Sequence, residues 1–283
     1  MALKSSMGSR RVVETSIVAW MDLLGYGSML RGVGFDPTAD DAKAAVERLN
    51  RFQDVVSKLS NKLMPSVVMN DGVALYRDLS PRDGRVTYEF INSVWELHRE
   101  INRVEAEFGY PGIRTVVAAG FRVRRQSPYL GERKEGLGEH LIEQVESGKI
   151  PLKQAIFTAL TARVPYDVTP ELQANFAFSK AYMAESAGSK AGFSGSNMFV
   201  DLDFFTSPLP EWIEVGDSIG WQTDGMSATF APVERIYSKR ARQHQYQGAL
   251  DAFDVAERLA SDEGVSERLK SLTINKKLAE TDA

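Results

Sequence analysis

Residues 66–76 read SVVMNDGVALY. Two apolar runs, 67–69 and 73–76, flank Asn70, Asp71 and Gly72. Asp-Gly between strand-like runs marks a tight hairpin, because both residues tolerate positive φ. The stretch predicts two antiparallel strands over 67–78, with Asn70, Asp71 and Gly72 in the turn. Turns of this kind favour Asp and Gly for backbone reasons alone. Asp71 therefore gains a chemical meaning only if another part of the chain supplies a partner.

The first candidate lies upstream. Residues 15–21 form an apolar run that predicts a buried strand; Asp22 ends it, and Gly25 and Gly27 follow as a turn. The segment 36–63 places Val46, Leu49, Phe52, Val55, Val56 and Leu59 at helical spacing after acidic residues suited to a helix start. A second amphipathic helix, 84–110, carries Phe90, Val94, Leu97, Ile101 and Val104 on one face. IRTVVAAGFRVRR (113–125) reads as a strand, 126–170 as a weakly patterned insertion with one helical stretch near 141–145, 175–189 as a helix and 197–205 as a short strand. The order predicts an α+β fold with helices on one side of a mainly antiparallel sheet. Residues 1–11 read as disordered, 12–205 as one domain and 206–283 as a C-terminal extension. Within that extension 211–225 suggests a hairpin and 246–272 is helical.

Composition narrows the chemistry. The 283 residues are 43% hydrophobic and 25% charged, as in ordinary globular proteins, with a formal charge of −4. Broad nucleic-acid binding is not expected of such a chain. It has no cysteine, which excludes disulfides, thiolate nucleophiles and cysteine-based zinc sites. No signal peptide or membrane-spanning run is recognisable, so no membrane association and a cytoplasmic location are expected. His98, His140 and His244 are far apart and read as ordinary surface or helix residues.

Asp22 and Asp71 are 49 positions apart. If the hairpin lies beside the first strand, the two carboxylates converge at a strand edge. Such a pair suits magnesium or manganese, which take few protein carboxylates and complete their shell with phosphate and water. Gly25 and Gly27 would let backbone N–H groups approach phosphates. The residues alone leave two readings open: a metal-dependent phosphoryl-transfer site, or turn aspartates and turn glycines.

A resemblance adds to this. IVAWMDLLGYGSML (17–30) resembles the first strand and turn of class III nucleotidyl cyclases, with Asp22, Leu23, Leu24, Gly25 and Tyr26 in order. MNDGVALY (69–76) is similar to the second metal hairpin, with Asn70 in place of a glycine. IRTVVAAG (113–120) matches through Arg114 and Gly120, and FSKAYMAES (178–186) through Ala181, Glu185 and Ser186. The matches fall in family order over roughly residues 15–205. The resemblance implies a cyclase domain over 12–205 and a homodimer with sites at the interface. It also implies two divalent ions, Mn2+ or Mg2+, held by Asp22, Asp71 and the Leu23 carbonyl. In the implied reaction a ribose 3′-hydroxyl attacks the α-phosphate and pyrophosphate leaves.

The sequence also departs from the family. Purine-specific members carry a base-reading lysine four residues before the second aspartate; here that position is Val67. The ribose-orienting asparagine and the transition-state arginine correspond to Ser179 and Met183. AFSKAYMAES (177–186) looks more like the pyrimidine cyclases of the bacterial Pycsar anti-phage system, which lack the purine-reading residues. That resemblance implies UTP as substrate ahead of CTP, and Val67, which has no donor for a base, puts both ahead of purines. The expected substrate contacts are Gly25, Tyr26, Gly27, Val67, Arg114 and Ser179. Tyr26, Met69 and Phe178 are candidate pocket walls, with Arg114 a candidate partner of a uracil carbonyl. An inactive nucleotide-binding relative is the competing reading. A diguanylate-synthesis relative is disfavoured by the absence of a Gly-Gly-Asp/Glu-Glu-Phe motif. Lys180, Arg122, Arg124 and Arg125 are possible phosphate contacts, though solvated charges are the expected reading for each. YSKRAR (237–242) reads as a solvated helix start, and Trp212 and Trp221 as packing residues.

Overall fold

The computed structural model describes residues 11–61, 63–125, 141–161, 169–223 and 225–260. Strand β1 (Arg11–Leu23) is flanked by β3 (Gly72–Asp78) and β4 (Ile113–Arg125), both antiparallel to it. Among the described residues eight strands make one sheet, ordered β2-β3-β1-β4-β5-β8-β6, with β7 on β8. The remaining strands are β2 (Ser66–Met69), β5 (Met198–Asp201), β6 (Ile213–Val215), β7 (Ile219–Thr223) and β8 (Met226–Ile236). Among the described residues only the β4–β5 pair is parallel. The α+β class and the mainly antiparallel sheet are as the sequence predicts.

The helices occupy both faces of the sheet, not one. α1 (Tyr26–Gly32), α2 (Asp40–Leu59) and α3 (Arg85–Glu107) follow β1 and β3. α2 and α3 pack Phe52, Val56, Phe90, Val94 and Leu97 against Ile17, Ala19, Met21 and Leu23 of β1. α4 (Leu152–Thr161) lies in the insertion, where 141–146 is also helical. α5 (Phe176–Ala187) covers the opposite face, where Ala181 and Ala184 meet Trp20, Ala74, Val116 and Ala118. A helix legible in the sequence does not declare which sheet face it covers, so 175–189 carries no local sign of lying opposite α2 and α3. With both faces covered, β1 is a near-continuous apolar run, and it extends well beyond 15–21.

Several boundaries differ from expectation. Met69 pairs with Gly72, so the hairpin turn is Asn70–Asp71 alone, and Asn70 carries the positive φ of 55°. Gly72 is a strand residue whose missing side chain makes room for Trp20: a Cβ there would lie 2.5 Å from the indole ring. Gly25 does adopt positive φ, as the N-cap of α1, but Gly27 is inside that helix. Residues 206–260 are not an appendage, because β8 pairs with β5 and Trp212, Leu250 and Val255 join the α2/α3 core. The expected hairpin at 211–225 is instead β6 and β7 each pairing with β8. α6 (Ser238–Gln243) and α7 (Ala252–Leu259) complete the chain's helices as described. Of the expected disorder over 1–11 only Arg11 is described, as the first residue of β1; residues 126–140, His140 among them, and 162–168 of the weakly patterned insertion, and the helix expected beyond 260, lie outside the described residues. Among the described residues no helix is long and apolar enough to cross a membrane.

α5 approaches the sheet closely because its inner face is alanine and the strand beneath offers glycine. A Cβ on Gly120 would lie 2.3 Å from the Ala177 backbone nitrogen. The backbone of a capped helix cannot yield: Asn175 caps it by accepting from the Phe178 N–H at 3.1 Å. Gly120→Ala is therefore expected to destabilise the protein by about 1–3 kcal/mol. Urea unfolding would read this as a lower midpoint at unchanged slope.

Candidate active site

Asp22 sits at the carboxyl end of β1, paired in register with Gly72 on one side and Arg114 on the other. The Leu23 N–H donates to the Asp71 carbonyl at 3.0 Å, and the Leu24 N–H to the Gly112 carbonyl at 2.9 Å. The hairpin turn is thereby tied to the end of β1, and Asp22 and Asp71 converge. From α5, Glu185 joins them and accepts from Arg114 Nη1 at 3.2 Å through both its carboxylate and its main-chain carbonyl. The Arg114 Nε is buried and has no hydrogen-bond partner.

Three carboxylates thus face one guanidinium. Burial first, then Glu185 and Asp71, push Asp22 up to about 7, against the pull of Arg114. Burial also raises Glu185, and Arg114 opposes it. Among the described residues no group of three or more His, Asp or Glu side chains is arranged to hold a metal ion. Asp22 and Asp71 nonetheless offer two carboxylates. In an extended strand a residue's N–H and C=O leave the same edge, so the Leu23 carbonyl is on the Asp71 side. This set fits a hard divalent cation that fills its shell with water and phosphate, and the excess negative charge at Asp22 is what such a cation would relieve.

The other predicted site residues are distributed as follows. Val67 pairs with Ala74, which places it on the Trp20 and Asp22 face. Met69, paired with Gly72, shares that face, and Phe178 packs edge-on against Trp20 with ring centroids 6.0 Å apart. Tyr26 is not a pocket wall, because its ring is buried in the α2/α3 core. Ser179 is half-buried, with its hydroxyl turned back to the Asn175 carbonyl at 3.4 Å. Arg114 is engaged with Glu185 beside the carboxylates, which puts it with the anionic groups instead of with a base.

Two expected solvated cations are buried ion pairs. Lys180 binds Asp201 at 3.0 Å, and Arg122 binds Asp78 and Glu14. His98 is buried as well, between Thr115 and Asn102, and burial pushes its pKa down to about 4. His244 is exposed, and Trp212 and Trp221 pack internally, as predicted. Sequence reasoning missed Arg48 and Glu105, a buried pair beside the Leu24 loop. A signal was present: Arg48 falls between Ala45 and Phe52 on the buried stripe of α2, and Glu105 follows Ile101 on that of α3. A cavity of about 990 Å³ lies elsewhere, lined by Gly120, Lys180, Asp203, Trp221 and Arg258. Gly120 is six residues along β4 from Arg114, roughly 20 Å at strand rise.

No known protein-family model matches the chain, and no curated protein resembles it in sequence. Among solved structures it is similar to the guanylyl cyclase Cya2, at 15% identity and TM-score 0.45 over 86% of this chain and 100% of that one. It is also similar to the dimeric guanylyl cyclase domain of the RhoGC fusion protein from the aquatic fungus Blastocladiella emersonii. There the identity is 10% and the TM-score 0.38, over 81% of this chain and 98% of that one. The guanylate cyclase domain of RhGC from Catenaria anguillulae, in complex with GTP, gives 9% and 0.38 over 80% and 98%.

The raised Asp22 has a consequence for stability. Its carboxyl holds a proton in the folded state up to about pH 7, whereas the unfolded chain releases it near 3.8. Folding is therefore increasingly penalised as pH rises from about 4 to 7, and the full penalty persists above that. Asp22→Asn removes the charge at equal size. It should stabilise the metal-free protein at pH 8 by on the order of 1–2 kcal/mol, allowing for solvent screening of a part-exposed group. Melting curves from pH 4 to 8 should show the advantage shrinking toward the acid end; a constant difference would contradict the charge cluster.

Proposed function

We propose that this protein is a metal-dependent nucleotidyl cyclase acting on a pyrimidine nucleoside triphosphate, UTP ahead of CTP. The observation that carries the reading is the convergence of Asp22, Asp71 and the Leu23 main chain beside Arg114. Asp22, Asp71 and the Leu23 carbonyl would hold two divalent cations, Mn2+ or Mg2+. Those ions would supply activation of the ribose 3′-hydroxyl and neutralisation of the leaving pyrophosphate. The 3′-oxygen bonds to the α-phosphorus, the bond to the β-phosphate oxygen breaks, and the hydroxyl proton is released. The products are a 3′,5′-cyclic nucleotide and pyrophosphate.

The chain's own groups have separate tasks. Arg114 brings a cation and a buried, unpartnered Nε donor to the phosphate side. Gly25, Tyr26 and Gly27 contribute backbone N–H groups at the start of α1, which has no side-chain cap. Val67 and Met69 line the same sheet face without offering a base a strong hydrogen-bond donor. A site lacking that contact has no polar means of favouring a purine edge, and such contacts govern discrimination by orders of magnitude. The preference for uracil and a role in anti-phage signalling rest on the resemblance of residues 177–186 to the Pycsar cyclases. Ser179 and Met183 leave this chain without the usual ribose and transition-state groups. Tyr182 and Met183 are nonetheless 48% and 38% exposed on α5. That outward apolar face supports a homodimer in which a second copy completes the site.

Incubating the purified protein with Mn2+ and each of the four ribonucleoside triphosphates tests the reading. Cyclic UMP is the expected main product. Asp22→Ala and Asp71→Ala should each lower turnover at least 100-fold, about the scale of losing a metal-site group, without dissociating the dimer. Cyclic CMP as main product would overturn only the choice of uracil, and cyclic AMP or GMP the pyrimidine assignment. Nucleotide binding without any product would identify a non-catalytic relative.

A further inference from the structure

One residue past Leu23, the loop leading into α1 is gripped by a buried charge. Arg48 of α2 donates from Nη2 to the Leu24 carbonyl at 3.0 Å and from Nε to Glu105 Oε2 at 2.8 Å. Arg48 is 0% exposed and Glu105 2%. The guanidinium lies 4.6 Å from the centre of the Tyr110 ring, and Nη1 is 3.4 Å from Met29 Sδ. Burying two ions is costly, and an apolar pair of similar volume is often as stable or more so. Stability therefore gives a poor account of this pair. What an apolar pair cannot do is donate a hydrogen bond to Leu24.

The other side of the same peptide segment is fixed independently. The Leu24 N–H bonds to the Gly112 carbonyl, and the next residue, Ile113, donates its N–H to Asn102 Oδ1 at 3.0 Å. With its oxygen so engaged, Asn102 turns its amide nitrogen to His98 Nε2 at 3.0 Å, and His98 Nδ1 lies 2.9 Å from Thr115 Oγ1. Leu24 is thus held through its N–H from the β4 side and through its C=O from α2. Two fixed ends on one residue set the orientation of the peptide planes on either side of it.

Resting on the cyclase reading above, we propose that Arg48 is a positioning residue for the cation site. Paired with Glu105, it locks the Leu24 carbonyl toward α2 and so keeps the Leu23 carbonyl on the hairpin edge beside Asp71. The role differs from packing in what it predicts: losing the clamp should loosen the loop and weaken cation binding while leaving the fold intact.

The test uses the full chain carrying Arg48→Met together with Glu105→Leu, which removes both charges at similar volume and strands neither. Three quantities are measured. They are the melting temperature, hydrogen exchange of the Leu24 amide in metal-free protein, and Mn2+ affinity from the free-ion EPR signal. The expected result is a cooperative transition close to wild type, Leu24 exchange faster by roughly tenfold or more, and Mn2+ affinity lower by about 10–100-fold, the scale of groups that orient metal ligands. Arg48→Lys, which keeps a cation against Glu105 but not the planar fork, should fall between wild type and the double variant on both readouts. It also serves as the decisive variant if the double one fails to fold. Wild-type exchange at Leu24 would overturn the clamp, and so would faster exchange with unchanged Mn2+ affinity. Failure of the wild-type protein itself to bind Mn2+ would instead remove the cyclase reading, and the exchange measurement would still decide whether Arg48 holds the loop.

Discussion

Asp22 lies between Gly72 and Arg114, and the position of every group at this end of the sheet follows from that register. Strand side chains alternate with a period of two, so a one-residue slip would swing Asp22 onto the α2/α3 face. There it would displace Met21 or Leu23 from the apolar cluster they share with α2 and α3. The opposite error is blocked by shape. The Trp20 ring lies flush over Gly72, where any side chain would collide with it. The hydrophobic patterning of β1 and a single absent Cβ therefore fix where the carboxylate points. The hydrogen bond from Leu23 to the Asp71 carbonyl then fixes how far away its partner is.

Buried charge is concentrated where one element meets another. Arg48 and Glu105 join α2 to α3, Lys180 and Asp201 join α5 to β5, and Arg122 on β4 reaches Asp78 and Glu14 on β3 and β1. Each pair must first overcome the loss of water, so its net contribution to stability is small or negative. What each pair does supply is directional. A guanidinium that has lost its water is satisfied by few arrangements, whereas leucines can slide. Burial and the hydrogen bond with Glu14 push Asp78 up, and Arg122 pulls the other way. The seam around Arg122 is thus electrostatically tight, and it lies at the far end of β1 from Asp22.

The parts of this structure legible in the sequence were those governed by short-range pattern. The SVVMNDGVALY hairpin, the strand into Asp22, and the helices carrying Phe52 and Phe90 all follow from periodicity and turn chemistry. Their juxtaposition also followed, because a hairpin beside β1 is the simplest antiparallel arrangement. What escaped was long-range. Lys180 and Arg122 look like solvated cations until Asp201 and Asp78 are brought against them from 21 and 44 positions away. His98 looked superficial because nothing nearby in sequence announces Thr115. The role of Gly72 was read as conformational when it is steric, since the residue it accommodates, Trp20, lies on another strand. Arg48 and Glu105 carried a local signal, charges set into apolar stripes.

The charge count at the Asp22 cluster explains why its one arginine is placed as it is. Arg114 stands opposite Asp22 in register, yet its hydrogen bonds go to Glu185. Glu185 is thereby compensated within the chain. Asp22 and Asp71 are not, and burial of an uncompensated carboxylate is resolved in the metal-free protein by keeping a proton on Asp22. On the proposed reading, divalent cations would reverse that preference, since the two ionised carboxylates would then face positive charge at least equal to their own. A carboxylate placed for folding alone would have been given the arginine beside it. Leaving it uncompensated lowers stability at neutral pH, a cost that recurs where a site is built for a ligand the fold does not itself contain.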